Sequence, residues 1–272
     1  MKTIKSQIAD LSPAAKTGLG ACLLAVLLAI ADGWLAVVPL AGYAVLCLAA
    51  PFFPRCGFYL PVISRGTSGK KAVAITFDDG PDPLTTPLLL NLLERYRTKA
   101  TFFITGEKAA RHPQLVKQLL NRGHLVGNHS HNHSYRMIFK SGPSIVENIM
   151  AAQKVFSDFG ISPLAYRPPA GLMSPGLRSA LLQTGLYAVN FSRRPLDGGN
   201  RRISNIAGKI LDRLRPDDIV LLHDLRPPDE GLIPAWLNEI ELLLKGIDQK
   251  GFTVLPLSEL IGQPVMVPAS SS

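Results

Sequence analysis

The chain is poor in cysteine, tryptophan and acidic residues. Its three cysteines, Cys22, Cys47 and Cys56, do not make a disulfide framework. None lies beyond residue 70, so the redox compartment is not legible from them. Only 20 Asp and Glu stand against 29 Lys and Arg, which leaves a net charge of +9 and a pI near 9.6. A basic balance of that size invites a nucleic-acid partner, but helix-turn-helix, zinc-finger and RNA-platform patterns are all missing. No nucleic acid is therefore expected. An anionic membrane surface or a phosphorylated lipid carrier suits the charge better, and internal repeats are absent.

One long apolar run is present. Residues 17–53 are almost wholly apolar, interrupted at Asp32-Gly33. As a single helix they would measure about 55 Å, too long for one crossing of a hydrocarbon core of about 30 Å. Two short crossings, about Gly18–Ala31 and Trp34–Phe53, use the whole run as a two-helix hairpin. A single longer crossing is the alternative, and a cleaved secretory signal fits poorly because its apolar core is shorter. Trp34 and Tyr43 are compatible with interfacial anchoring. Lys2, Lys5 and Lys16 precede the run, and Arg55, Arg65, Lys70 and Lys71 follow it. The positive-inside rule favours both flanks in the cytoplasm, as a hairpin allows. The expectation is an integral protein of a bacterial-type inner or plasma membrane.

The rest divides into an N-terminal tail (1–16), a linker (54–71) rich in Pro, Gly, Ser and basic residues, a catalytic domain (72–260) and a tail (261–272). Pro264–Ser272 reads as disordered. Strand-like apolar runs near 72–77, 100–104, 124–128, 164–167, 186–191, 218–222 and 252–255 alternate with helical stretches such as Ser144–Phe159 and Ile233–Lys250. That alternation predicts an α/β fold with parallel strands. The polar motifs all fall at strand C-terminal ends, as in a (β/α) barrel whose active site lies on that face.

Histidine is also scarce, yet three of the six residues fall within His129-Ser130-His131-Asn132-His133. About fifty residues earlier, Thr76-Phe77-Asp78-Asp79-Gly80-Pro81 sets two carboxylates against a turn. Alone, Asp-Asp before Gly-Pro is a common turn, and a histidine cluster can be a solvated loop. Together they offer one carboxylate and two imidazoles, a donor set for catalytic zinc, with a second carboxylate beside it. Tyr166-Arg167-Pro168-Pro169-Ala170-Gly171 and Ile219-Val220-Leu221-Leu222-His223-Asp224 supply further polar groups.

In this order the motifs resemble those of the polysaccharide deacetylase family, the NodB-homology or carbohydrate esterase 4 group. Thr76–Pro81 matches its first motif in full, and His129–His133 matches its His-Ser/Thr-x-x-His. Arg167-Pro168-Pro169 matches most of a third motif, and Leu221-Leu222-His223 the last. The resemblance spans about residues 70 to 260 and implies a distorted (β/α) barrel of seven or eight strands. It implies Asp79, His129 and His133 as ligands of one divalent ion, zinc first and cobalt or nickel as alternatives. Asp78 would be the general base, oriented by Arg167, and His223 the general acid. A backbone N–H just after the Arg-Pro-Pro turn, around Pro169 and Ala170, would meet the oxyanion.

Two departures bear on substrate. Ala170 stands where the family commonly has an aromatic residue, and Asn190–Gly199 contains no Trp where one is usual. Asp197 is a candidate carboxylate for tuning His223, although a Gly-Gly turn explains an Asp there about as well. His131 is off the ligand pair, His124 and His112 read as structural or exposed, and Asp224 as pointing away. Arg193, Arg194, Arg201 and Arg202 form a basic surface that is either solvated or meets an anionic substrate. The expected activity is metal-dependent removal of an N-acetyl group from an amino sugar in a glycan or lipid-linked saccharide. A deformylase or deacylase of a lipid-linked amino sugar is the near alternative, and a catalytically silent glycan-binding module the distant one.

Overall fold

The computed structural model describes residues 11–269. Helix α1 (Pro13–Ala31) starts where Ser12 caps the Ala15 N–H and proline occupies the first turn, a position that needs no donor. This start lies inside the stretch read as a tail. Lys16 is one turn into the helix, and a lone lysine with a long stem does not end an apolar helix. Lys2 and Lys5 fall outside the described residues. Asp32 breaks the helix in extended geometry and caps the next turn through Trp34 N–H. A short 3-10 turn (Gly33–Ala36) then leads into α2 (Val37–Ala49), which tightens into a last turn at Ala50–Phe52.

Segments Pro13–Ala31 and Gly33–Phe52 are each long and apolar enough to cross a membrane. At 1.5 Å per residue each is about 30 Å long, the thickness of a hydrocarbon core. They pack on one another where Gly18 meets Tyr43: a Cβ on Gly18 would lie 2.8 Å from the tyrosine ring. Leu27, Ile30, Val38, Val45 and Leu48 point outward uncovered. Both ends of the hairpin meet the domain below. Ala14 N–H donates to Phe58 carbonyl, the Tyr59 hydroxyl donates to Cys47 carbonyl, and Arg55 donates to Ser192 carbonyl.

The domain is built on a parallel sheet. Strands β1 (Val62–Ile63), β2 (Ala72–Asp78), β3 (Thr101–Ile104), β4 (Leu125–Asn128), β6 (Ala165–Tyr166), β7 (Tyr187–Val189) and β8 (Asp218–His223) lie in the order β1-β7-β6-β4-β3-β2-β8, and β9 (Thr253–Val254) also pairs with β2. The two edges approach through isolated bridges, Arg65 to Asp218 and Arg193 to Val220, which makes the sheet a distorted barrel of eight strands. All seven expected strand runs are strands. The helical stretches expected at 144–159 and 233–250 are α6 (Gly142–Ser157) and α9 (Ile233–Gln249). Between these come α3 (Thr85–Arg95), α4 (Gly106–Arg111), α5 (Pro113–Asn121), α7 (Pro175–Thr184) and α8 (Ile206–Leu211), with α10 (Leu257–Ile261) near the end.

Strand parity sorts the side chains. Val73, Ile75 and Phe77 of β2, Phe102 and Ile104 of β3, and Val220 and Leu222 of β8 join the outer core under the helices. Ala72, Ala74, Phe103 and Ile219 face the barrel interior. Because alternate residues share a face, Thr76 and Asp78 fall on the interior side of β2, and His223 does so on β8. Small residues below and polar residues above leave the interior mouth open at the strand C-terminal ends.

Two segments depart from expectation. The stretch expected as a linker (54–71) buries Tyr59 and Leu60 and supplies β1, which pairs with β7. Its Pro, Gly and Ser content hid an apolar run, Phe58 to Ile63, whose partner is more than a hundred residues away. The stretch expected as a tail contributes β10 (Met266–Pro268), antiparallel to β5 (Ile161–Pro163). Val265 is buried beside it and accepts from Leu164 and Ala165 N–H. Only residues 270–272 of that tail lie outside the described residues.

His124 is structural. It is buried, its Nδ1 accepts from Ala100 N–H at 3.2 Å, and its ring meets Phe102 edge-on. Burial, reinforced by Lys99 and Arg122, pushes its pKa down from 6.5 to about 4. Above pH 6.5 the ring is neutral whether the chain is folded or not. Between pH 6.5 and 4 the unfolded chain binds a proton that the folded chain refuses, so stability falls as pH falls, by at most about 3 kcal/mol. Urea titrations from pH 7 to 4.5 should show a steeper loss for the wild type than for His124→Asn. Equal slopes would remove this role.

Candidate active site

Two adjacent carboxylates on a strand should point to opposite faces. They converge here because the chain leaves strand geometry between them: Asp79 has φ 71°, in the left-handed region. Asp78 keeps its interior strand position, while the turn swings Asp79 over the mouth. The following Gly80 has no room for a side chain, since a Cβ would lie 2.5 Å from Asp224 Oδ2. Asp224 does point away from the mouth, as expected. It is fully buried, takes the hydroxyls of Thr85 and Thr86 and, despite these, burial pushes its carboxyl up to about 7. Lys108 braces the turn from the other side by donating to Asp79 carbonyl at 2.6 Å.

The histidines come from the end of β4, which lies beyond β3 in the sheet. His129 N–H continues the ladder to Ile104 carbonyl, and its buried Nδ1 lies 2.7 Å from Arg167 carbonyl. That contact makes Nδ1 the protonated nitrogen and turns the Nε2 lone pair toward the mouth. Ser130 and His133 both take positive φ, and the Ser130 hydroxyl accepts from His133 N–H. This tight turn brings His133 back over His129. His133 rests against Tyr135, ring to ring at 4.9 Å and nearly perpendicular. The His131 ring faces the other way, with its Nδ1 against Gly106, and its backbone N–H donates to Asn148 Oδ1.

Asp79, His129 and His133 offer one oxygen and two nitrogens, all within 4.8 Å of one another. Asp79 Oδ1 is buried without a hydrogen-bond partner, although His133 Nε2 lies 3.0 Å away and His129 Nε2 3.4 Å. Three electron-pair donors facing each other across so small a gap fit a divalent cation. Burial alone would raise the Asp79 carboxyl, but the two imidazoles outweigh it and hold the group well below the usual carboxylate range. Burial would lower the His129 pKa, but Asp78 and then Asp79 raise it on balance.

On one flank is Arg167, fully buried yet fully engaged. Its Nη1 donates to Asp78 Oδ1 at 2.7 Å and to Thr76 Oγ1 at 2.8 Å, and its Nη2 to Asn190 carbonyl at 2.9 Å. The Phe103 ring lies 3.9 Å from the guanidinium carbon. Asp78 Oδ2 is left toward the mouth, 3.8 Å from His129 Nε2.

On the opposite flank, His223 ends β8 in register with Asp78. Its Nδ1 lies 3.0 Å from Asp197 Oδ2, and Asn200 holds both the His223 and Leu225 carbonyls. Burial would lower the His223 pKa, yet the Asp197 carboxylate raises it on balance, and Asp197 itself is held low. Pro169–Gly171 forms a tight turn on the rim, with Ala170 at φ 55°. Asp78, Asp79, His129, His133, Ala170, Asp197 and His223 border one open cleft of about 370 Å³, with Arg167, Pro169 and Asn200 buried behind it. The structure therefore brings together Asp78, Asp79, His129, His133, Arg167, Asp197 and His223, with Pro169 and Ala170 beside them. Tyr135, Asn200 and Thr76 were not singled out from sequence. Thr76 alone carried a signal, since it lies in the Thr76–Pro81 run on the face of Asp78.

A family model described as polysaccharide deacetylase matches residues 65–189. A peptidoglycan-N-acetylglucosamine deacetylase of Bacillus cereus is 36% identical over 196 residues, covering 71% of this chain and 90% of the relative. A chitooligosaccharide deacetylase of Azorhizobium caulinodans is 32% identical over 203 residues, covering 71% and 96%. The fold is similar to a crystal structure of a peptidoglycan N-acetylglucosamine deacetylase bound to 4-naphthalen-1-yl-N-oxidanyl-benzamide. That match has a TM-score of 0.67 at 26% identity and covers 75% of this chain and 94% of the other.

Replacing Asp79, His129 or His133 with Ala should each weaken divalent-ion affinity by at least about 100-fold, since loss of even a supporting residue can cost that much. Metal analysis of purified variants checks it. Near-stoichiometric metal in all three would remove the ligand assignment.

Proposed function

We propose, from the premise that the chain belongs to the polysaccharide deacetylase family, that it removes N-acetyl groups from N-acetylated amino sugars while anchored in a membrane. The reaction is hydrolysis of a carbon–nitrogen bond in a linear amide, giving acetate and a free amine. N-acetylglucosamine units are the substrate class that the relatives' activities suggest. The carrying observation is the three-donor cluster flanked across one cleft by Asp78–Arg167 and Asp197–His223.

Asp79, His129 and His133 would hold a divalent ion, with zinc first by donor type and cobalt or nickel compatible. Such an ion supplies Lewis acidity, which lowers the pKa of water and polarises the acyl oxygen. Asp78 takes the proton of the attacking water at Oδ2, because Arg167 occupies Oδ1 and aims the carboxylate. The peptide N–H of Ala170, on the Pro169–Gly171 rim, is the donor nearest in kind to an oxyanion hole. Its small side chain narrows no part of the cleft. An amide nitrogen leaves poorly without a proton. His223 provides it from Nε2, with Nδ1 tied to Asp197 so that the ring is oriented and favours its cationic form. A glycan-binding module would need neither the base nor the acid.

Asp78→Asn should keep the metal and lower the rate by about 100-fold or more, the usual share of a positioned base. A wild-type rate of acetate release from an N-acetylated oligosaccharide would sink that role. Asp197→Asn tests the other flank. A carboxylate that raises the His223 pKa keeps the acid form present to higher pH, and that form is lost as pH rises through the raised value. Without Asp197 the alkaline limb of the kcat profile should move to lower pH. An unmoved limb would separate Asp197 from the proton transfer.

Two observations support the anchor and its orientation. Both ends of the hairpin are tied to the catalytic domain, and Lys16 and Arg55 stand at its two feet. The basic feet favour the cytoplasmic side, with Asp32-Gly33 at the far surface. A reporter fused after Ser272 should fluoresce if it is a cytoplasm-only protein. Alkaline phosphatase activity there instead would mean the domain is exported.

A further inference from the structure

The connection from β7 to β8 carries more positive charge than the reaction uses. Arg193 is spent on structure, its Nε 2.7 Å from Asp218 Oδ2. Just beyond it a second cavity of about 690 Å³ opens, bordered by Arg194, Arg202, Lys209 and Arg213, with Asp212 as its only carboxylate. Arg194 and Leu196 border both this groove and the catalytic cleft, so the two are contiguous. Arg201 faces the cleft itself. Elsewhere in the domain Arg65, Arg122, Arg167 and Arg226 are ion-paired. Among the described residues Arg194, Arg201, Arg202 and Arg213 have no such partner. Like charges gathered without counter-charges repel one another in the free protein and are relieved by an anion. Guanidinium groups suit phosphate oxygens in particular.

The groove also lies at the foot of the hairpin. Arg55, two residues after Phe53, donates to the carbonyl of Ser192 at 2.6 Å, and Ser192 borders the groove. If the hairpin spans a bilayer, the groove sits where lipid headgroups lie.

We propose that this groove binds a phosphate group carried by the substrate, so that the enzyme acts on a phosphate-linked N-acetylated amino sugar. The sugar's acetamide reaches the cleft while its phosphate rests among Arg194, Arg202, Lys209 and Arg213. The inference rests on the deacetylase reading above and adds the substrate class to it.

The test uses the full chain in detergent micelles and the double variant Arg202→Ala/Arg213→Ala, both exposed positions away from the cleft. Acetate release is compared for three substrates: prenyl-diphosphate-linked N-acetylglucosamine, N-acetylglucosamine 1-phosphate and neutral tetra-N-acetylchitotetraose. In the variant, kcat/KM for the phosphate-bearing substrates relative to chitotetraose should fall at least about tenfold, through KM, as expected for lost charge-assisted contacts. A fall confined to the prenyl substrate assigns the phosphate to a lipid carrier, and a fall for both assigns it to the sugar phosphate alone. An unchanged ratio overturns the proposal. Binding of inorganic pyrophosphate to the metal-free chain, measured by calorimetry, needs no turnover. Wild-type binding at least tenfold tighter than the variant's supports the groove, and equal binding overturns it. Pyrophosphate binding without acetate release from any substrate would leave the groove and sink the deacetylase reading. Turnover of chitotetraose without pyrophosphate binding would do the reverse.

Discussion

A buried guanidinium organises this site. Arg167 has no exposed surface, and a cation taken out of water is tolerable only if its donors are met and its charge is balanced. The surrounding strands supply those partners. Thr76 and Asp78 come from β2, the Val189 and Asn190 carbonyls from the end of β7, and the Phe103 face from β3. The backbone of the same residue closes the circuit, because its carbonyl lies against His129 Nδ1. One residue therefore sets the direction of the Asp78 carboxylate through its side chain and the tautomer of His129 through its carbonyl. Removing one member of such a pair leaves an unbalanced buried charge, typically about 3–5 kcal/mol. Asp78 and His129 are consequently hard to move independently.

The division of labour between the two carboxylates follows from backbone geometry. Neighbours on a strand cannot serve one site, so the chain must break its strand between Asp78 and Asp79. The left-handed residue at 79 and the crowded glycine at 80 are that break. Strain of this kind persists where surrounding contacts over-determine it. Here Lys108 grips the Asp79 carbonyl and Asp224 fills the space under Gly80. Asp224 is thus a third carboxylate in the same region, used for shape and secured by two threonine hydroxyls.

Much of this was legible in the sequence, and the reason is locality. The strand runs, the helices α6 and α9, the turn at Asp32-Gly33 and the four motifs are each contiguous stretches whose period or composition speaks for itself. Parity on β2 even foretells that Thr76 shares the face of Asp78. What escaped depends on partners far along the chain. Val62–Ile63 becomes a strand only because β7 offers an edge, and Met266–Pro268 only because β5 does. Neither two nor three residues carry a period. Asp197 was legible as a candidate, but a Gly-Gly turn explained it as well until His223 was found 3.0 Å away. Tyr135 follows the histidine motif by two residues, and nothing in its type announces that it braces His133.

Asp197, the partner of His223, and the basic groove share one connection, residues 190–217 between β7 and β8, and that sharing has a mechanical consequence. Asp197, which holds His223, lies between Arg194 and Arg202, and its own carbonyl accepts from Arg202 N–H. Asn200 grips the strand end at His223 and Leu225 from the same segment. Its outer end is tied to the hairpin foot through Ser192 and Arg55, and to β8 through Arg193. A ligand pressed against Arg194 and Arg202 would bear on the two residues that frame Asp197, and hence on the orientation of the His223 ring. Binding energy from a remote part of a substrate is most useful when it positions the reacting groups. A segment tied to the foot of the apolar hairpin, charged along its length and closed on His223 is built to transmit it.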